Sequence, residues 1–160
     1  MEKNRVSRGG DFFASTLKKV LHWAQGQSFW MTTAGSGCCA DELFATFGAR
    51  YDLERFGCLA ALDPKQADLL VVSGLVSIKA APHLRTLYDS MVNPRYVIAL
   101  GACACSGGAF CGAANYSVVC GVDQIVPVDV YVAGCPPRPE AIMNGLIKLQ
   151  EKISGIAAQI

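Results

Sequence analysis

Five of the eight cysteines in this chain sit in glycine-rich turns: Gly35-Ser36-Gly37-Cys38-Cys39, Gly101-Ala102-Cys103-Ala104-Cys105-Ser106-Gly107-Gly108 and Gly134-Cys135-Pro136-Pro137. Thiolate sulfur is a soft ligand that suits iron–sulfur clusters and zinc. Four thiolates are the usual complement of one [4Fe-4S] cluster, and one set per turn gives Cys38, Cys39, Cys103 and Cys135. Adjacent Cys38 and Cys39 would point to opposite faces of an extended chain. Both reach one cluster only if the backbone turns sharply, which Gly35 and Gly37 permit. Zinc is the chemical rival, but structural zinc sites usually pair ligands as C-x2–4-C, and no such pair here is matched by a second.

Each turn follows an apolar, strand-like run: Ser28–Thr33, Tyr96–Leu100 and Val126–Val132. Asp68–Gly74 reads as a fourth, fully buried strand. Between them the spacing predicts helices. Leu84, Leu87, Tyr88 and Met91 mark one over Pro82–Met91, with proline in its first turn. Ile142, Leu146, Leu149 and Ile153 mark another over Pro139–Lys152. Asp41–Phe47 reads as a short helix, Arg50–Cys58 as a loop with a possible short strand, and Asp63–Ala67 as a turn or a single helical turn. Phe13, Leu17, Val20 and Ala24 predict an amphipathic helix over Asp11–Ala24, either packed on its own domain or docked through Phe12, Phe13 and Trp23 on a membrane partner.

Buried strands alternating with helices imply an α/β fold: a short parallel sheet with helices on both faces. In such sheets ligands lie outside the carboxyl ends of the strands, where all three cysteine turns are expected. The 160 residues suffice for one domain. The expectation is an N-terminal segment 1–10, mobile or partner-bound, and a single domain over 11–160.

Composition narrows the function classes. With a net charge of +1 and 17% charged residues, nothing points to nucleic acid, and the low charge with 52% hydrophobic residues points to surface covered by partner subunits. No phosphate loop, dinucleotide fingerprint or nucleophile–base pair is evident. Met1–Arg8 is polar, with no secretory core after it, so the cysteines read as metal ligands in a reducing compartment rather than as disulfides. Val97–Val122 has no charged residue but five glycines, and reads as strand, loop and buried connection rather than a membrane helix. Cys58, Cys105, Cys111 and Cys120 read as buried, inert thiols, with Cys105 close to the cluster; a second cluster on those four is the alternative. Asp41 and Glu42 read as helix N-terminal acids, or as carboxylates that exchange a proton near the site. Arg50, Arg55 and Arg138 read as salt-bridge partners, or as charges that raise a cluster potential. His22 and His83 do not read as ligands.

These motifs carry a resemblance. His22-Trp23-Ala24, Ser28-Phe29-Trp30, Gly35-Ser36-Gly37-Cys38-Cys39-Ala40-Asp41-Glu42, Arg55-Phe56-Gly57, Gln66-Ala67-Asp68, Gly101-Ala102-Cys103, Ser106-Gly107-Gly108, Val126–Tyr131 and Gly134–Glu140 follow in the order that resembles the cluster-bearing 20 kDa subunit family of complex I (NADH-quinone oxidoreductase). This family includes the small subunits of group 4 energy-converting nickel–iron hydrogenases. The resemblance implies a flavodoxin-like fold with one [4Fe-4S] cluster at the carboxyl ends of the strands, on Cys38, Cys39, Cys103 and Cys135. It implies an electron-transfer subunit at the cytoplasmic face of a membrane-bound oxidoreductase, passing electrons to quinone or a quinone-like acceptor. Implied partners are a large subunit, a ferredoxin-like iron–sulfur donor and a membrane-embedded subunit coupled to ion translocation. Tandem Cys38-Cys39 resembles the complex I branch; Cys58 and Cys105 resemble the hydrogenase branch, and Leu75–Lys79 departs from the usual complex I residues. The alternative is therefore a group 4 hydrogenase small subunit, or a relative without hydrogenase activity. A third reading, a scaffold without a cluster, runs against the intact four-cysteine set. The isolated chain is not expected to be catalytic.

Overall fold

The computed structural model describes residues 20, 23–24, 26–112 and 115–154. Five parallel strands form one sheet in the order β2-β1-β3-β4-β5: β1 Phe29–Gly35, β2 Cys58–Ala60, β3 Leu69–Ser73, β4 Tyr96–Leu100 and β5 Val130–Val132. This is the flavodoxin-like order, and its direction reverses between β1 and β3. All five residues of β3 are buried, because the strand is flanked on both edges and covered on both faces.

The alternation of side chains along each strand divides the core in two. On one face Met31, Leu69, Val71, Ile98, Leu100 and Val132 meet Leu43, Ile142, Leu146 and Leu149. On the other, Leu70, Val72, Val97 and Ala99 meet Leu84, Met91, Ala104, Val122 and Val126. The first face is covered by helices α1 (Cys38–Thr46) and α4 (Pro139–Ser154), the second by α2 (Ala81–Ser90) and α3 (Gly101–Ser106). Helix α4 follows its sequence signals: Pro139 first, Glu140 in the first turn, Lys152 in the last, and a buried stripe of Ile142, Leu146 and Leu149. Each of those side chains stabilises the fold by about 1.5–3 kcal/mol.

Several expectations change. The cysteine turns are not plain loops: Cys38 and Cys39 open α1, and Gly101–Ser106 is helical. Ala102–Ser106 lacks β-branched residues, so nothing opposes a helical turn there. The strand expected over Val126–Val132 forms only at Val130–Val132. Ile125 and Val126 bond back to Val122 as a helical turn, and Asp129 joins Val97 through its own N–H and its carboxylate, which accepts the Val97 N–H at 3.1 Å. Leu53–Phe56 forms a 3-10 turn within the expected loop, whereas Pro64–Gln66, capped by the Asp63 carboxylate, is the single helical turn expected there.

Cys111 and Cys120 are not inert thiols. They form a disulfide with Cα atoms 5.2 Å apart, and Cys111 is exposed. This also removes the second cluster imagined on Cys58, Cys105, Cys111 and Cys120. Chain reversal after Gly107 brings the pair together, a proximity that sequence spacing does not encode. Residues 1–10 and most of the helix expected over Asp11–Ala24 lie outside the described residues; Val20 and Trp23 are exposed. Among the described residues no helix is long and apolar enough to cross a membrane.

Candidate metal centre

Three of the five strands deliver a cysteine segment from their carboxyl ends. After β1 the chain turns at Gly37 (φ 92°, ψ −167°), and Cys38 and Cys39 become the first residues of α1. A helical turn lets neighbouring side chains diverge by about 100° rather than 180°. That resolves the tandem-cysteine difficulty posed by an extended chain. After β4, Gly101 leads into α3 with Cys103 on it. After β5, Gly134 precedes Cys135, and the Gly134 carbonyl accepts the Ala102 N–H at 2.8 Å, tying the second and third segments together.

Two of the four thiols, Cys39 and Cys103, are perturbed by others of the set. Burial pushes the Cys39 thiol up, reinforced by Cys38 and Cys103, while the Gly74 N–H at the end of β3 works against the shift. Burial also pushes Cys103 up, with Cys135 and Cys38 adding to it. Cys103 therefore senses both outer members of the set, and Cys39 senses both Cys38 and Cys103. Cys39 is buried, Cys103 partly buried, and Cys38 and Cys135 exposed. One side of the set is walled by the sheet and the other is open.

Gly101 makes this approach possible. Its φ is +86°, and a Cβ there would collide with the Cys39 Sγ. The end of β4 is thus left bare where the Cys39 sulfur lies.

Among the described residues no three His, Cys, Asp or Glu side chains stand close enough to hold a single metal ion. Zinc would draw its sulfur ligands to about 2.3 Å. In a four-iron cluster each thiolate binds a different iron, so the ligands stand further apart. The thiols come from three segments, with Cys38 and Cys103 near enough to act on Cys39 and Cys135 and Cys38 near enough to act on Cys103, and their all-sulfur chemistry is of the kind such a cluster takes.

The other candidates fall into place around this set. The Cys105 sulfur faces the Ala99 and Val132 carbonyls at 3.6 and 3.8 Å, between β4 and β5, and Cys58 opens β2, fully buried and paired with Phe29 of β1. Asp41 is exposed and Glu42 partly buried in the first turns of α1. Arg50, Arg55 and Arg138 take no part in the ion pairs among the described residues, which are Arg85–Asp89, Arg95–Asp89 and Lys152–Asp129. Arg55 lies over the Phe56 ring at 5.3 Å. Arg138 and Arg50 both act on Glu140, whose carboxyl is held down chiefly by its own N–H at the start of α4, then by the Tyr51 hydroxyl, which donates to it at 3.2 Å. His83 is exposed on α2 and borders an apolar cavity of about 190 Å³ that reaches Gly35 and Leu75; His22 lies outside the described residues. Sequence reasoning missed Gly74 and Gly101 as parts of the site. Their signal was position: each follows a buried strand directly.

Comparison with known proteins agrees with this architecture. Residues 37–149 match the family described as NADH ubiquinone oxidoreductase, 20 Kd subunit. The chain is 54% identical over 150 residues to a subunit of the NADH-quinone oxidoreductase of Desulfovibrio desulfuricans, covering 94% of this chain and 80% of that protein. It is 47% identical over 146 residues to the counterpart of that subunit in Citrifermentans bemidjiense, covering 91% and 84%. Among solved structures it resembles a chain of the membrane-bound sulfane sulfur reductase, an archaeal respiratory membrane complex, with TM-score 0.78 and 39% identity over 86% of this chain and 76% of that one. An actinobacterial-type nickel–iron hydrogenase from Ralstonia eutropha shares the fold alone, with TM-score 0.57 and 17% identity over 81% of this chain and 55% of that one.

Proposed function

The chain belongs to the family of the 20 kDa subunit of NADH–ubiquinone oxidoreductase, and from that membership we propose that it is the electron-transfer subunit of a membrane-associated, complex I-like oxidoreductase. Cys38, Cys39, Cys103 and Cys135 hold one [4Fe-4S] cluster, and electrons pass to quinone or a quinone-like acceptor at the interface with a large subunit. The observation that carries this reading is the gathering of those thiols at the carboxyl ends of β1, β4 and β5, beside the β1/β3 reversal, where open α/β sheets bind ligands.

The cluster supplies one-electron chemistry; the chain supplies position and surroundings. Cys39 is the inner ligand, and the Gly74 backbone favours negative charge on its sulfur. Gly101 keeps the space at that sulfur free of a side chain. The exposed side of Cys38 and Cys135 faces the acceptor across the large subunit. Upstream stands a ferredoxin-like iron–sulfur subunit, and a membrane-embedded partner couples the reaction to ion translocation. The chain itself lies peripherally at the cytoplasmic face.

A second reading keeps the cluster and changes the acceptor. The resemblance to a chain of a sulfane sulfur reductase complex over 86% of the sequence supports a hydrogenase-related complex in which electrons go to or from a large-subunit active site. Membranes containing the complex separate the two. Quinone-analogue reduction that requires this chain, without hydrogen evolution, supports the first; hydrogen evolution that requires it overturns the first.

A further inference from the structure

The Cys111–Cys120 bond lies outside the four-cysteine set yet is tied to it on two sides. The first tie is Gly107, which ends the helix carrying Cys103 and whose N–H bonds to the Cys103 carbonyl at 2.8 Å. A Cβ at Gly107 would stand 2.6 Å from the Cys111 Cβ and 3.1 Å from the Cys120 Cα, so the cross-link packs directly on the end of that helix. The second tie is an antiparallel bridge between Ser77 and Val118, flanked by bonds from the Ile78 N–H to the Ser117 carbonyl at 2.9 Å and from the Val119 N–H to the Val76 carbonyl at 3.0 Å. Residues 76–78 directly follow Gly74-Leu75 at the end of β3. The cross-link thus braces both the Cys103 helix and residues 76–78, just beyond the end of β3.

The remaining described cysteines are thiols, so this is a single bond in a thiol-rich chain. Cys111 is exposed and Cys120 partly exposed. Exposed disulfides are the labile ones, and in reducing compartments such bonds are transient or redox-sensing. The compartment argument rests on the proposed function; the accessibility argument does not.

We propose that Cys111–Cys120 is a thiol–disulfide exchange site for a dithiol reductant, and that its state is transmitted to the Cys103 helix through Gly107 and to residues 76–78 through the 117–119 bridge. One thiolate of the dithiol attacks the Cys111 Sγ. The Cys111–Cys120 bond breaks, and Cys120 leaves as a thiolate that takes up a proton. The second thiol of the reductant then attacks its own sulfur in the mixed disulfide and releases Cys111 as a thiol. The chain gains two electrons and two protons, and the dithiol becomes a disulfide.

The test uses the full chain, prepared anaerobically and treated with dithiothreitol. Cysteines are counted by alkylation and peptide mass spectrometry, and amide hydrogen exchange is followed on the same samples. Cys111 and Cys120 should resist alkylation before treatment and both label after it. The amides of Ile78, Gly107 and Val119 should lose protection on reduction, and a Cys111→Ser, Cys120→Ser double variant should exchange like the reduced chain without treatment. Labelling before treatment, labelling only in denaturant, or unchanged protection after reduction would each overturn the proposal. Iron content on the same samples reads the cluster assignment separately: a chain without iron whose pair still exchanges sinks that assignment and leaves this inference standing.

Discussion

Gly101, at the carboxyl end of β4, faces the sulfur of Cys39, at the start of α1, so closely that a Cβ on Gly101 would collide with it. Two segments more than sixty residues apart in sequence therefore meet where only hydrogen can be tolerated. Gly101→Ala adds this collision to a left-handed backbone, which alone costs an L-residue about 1–2 kcal/mol. The variant should melt lower and bind less iron than the parent. Thermal denaturation and iron analysis check this; iron content equal to the parent's would show that the Cys39 sulfur is not where the ligand sits.

Cys58 offers a pH test away from the cysteine set. Burial, and secondarily the Asp68 carboxylate, pushes its thiol up from 9.0 to about 12. The folded state therefore holds the proton more tightly than the unfolded chain. Its contribution is fully present below pH 9 and is lost as pH rises toward 12. The cluster-free chain should lose stability across that window, and Cys58→Ala should flatten the loss while lowering stability at neutral pH by about 1 kcal/mol. Melting temperatures from mildly alkaline pH upward decide it; parallel curves for parent and variant would contradict it.

Leu149 is fully buried in the face shared by α1 and α4. Leu149→Ala should cost about 2–5 kcal/mol, as buried leucine truncations do. Because α4 follows the Cys135 segment directly, the variant should also retain iron less well on mild heating. Denaturant unfolding gives the first quantity and iron release the second.

Asp129 and Lys152 form an ion pair at 2.8 Å, but the two partners are not equivalent. Lys152 is half exposed, so Lys152→Met should cost less than about 1 kcal/mol. Asp129 also accepts the Val97 N–H. Asp129→Ala leaves that donor without its acceptor and should cost about 1–3 kcal/mol. Equal costs for the two would mean that the carboxylate matters only for the pair.

The sheet was legible where the chain is apolar throughout or periodic. Leu69–Ser73 and Tyr96–Leu100 read as buried strands because nothing polar interrupts them, and α4 because Ile142, Leu146 and Leu149 recur at helical spacing. The tandem cysteines were legible as a pair needing a turn, but not as the first turn of a helix, because the angles at Gly37 come from its neighbours. Val126–Val128 has strand composition yet packs in the core as part of a turn, since Asp129 takes over the links to Val97. The disulfide was illegible: nine residues of separation do not say whether two sulfurs meet. Gly74 and Gly101 looked like punctuation and are parts of the site, a distinction that only the approach of the Cys39 sulfur reveals.

The most direct measurement is an anaerobic iron and sulfide count on the reconstituted chain, with electron paramagnetic resonance of the reduced sample, beside Cys103→Ala and Cys135→Ala. The expected result is about four irons and four sulfides, with a single tetranuclear signal that both variants lose. A folded chain without iron, or an unchanged spectrum in either variant, would contradict the assignment of these thiols to one cluster.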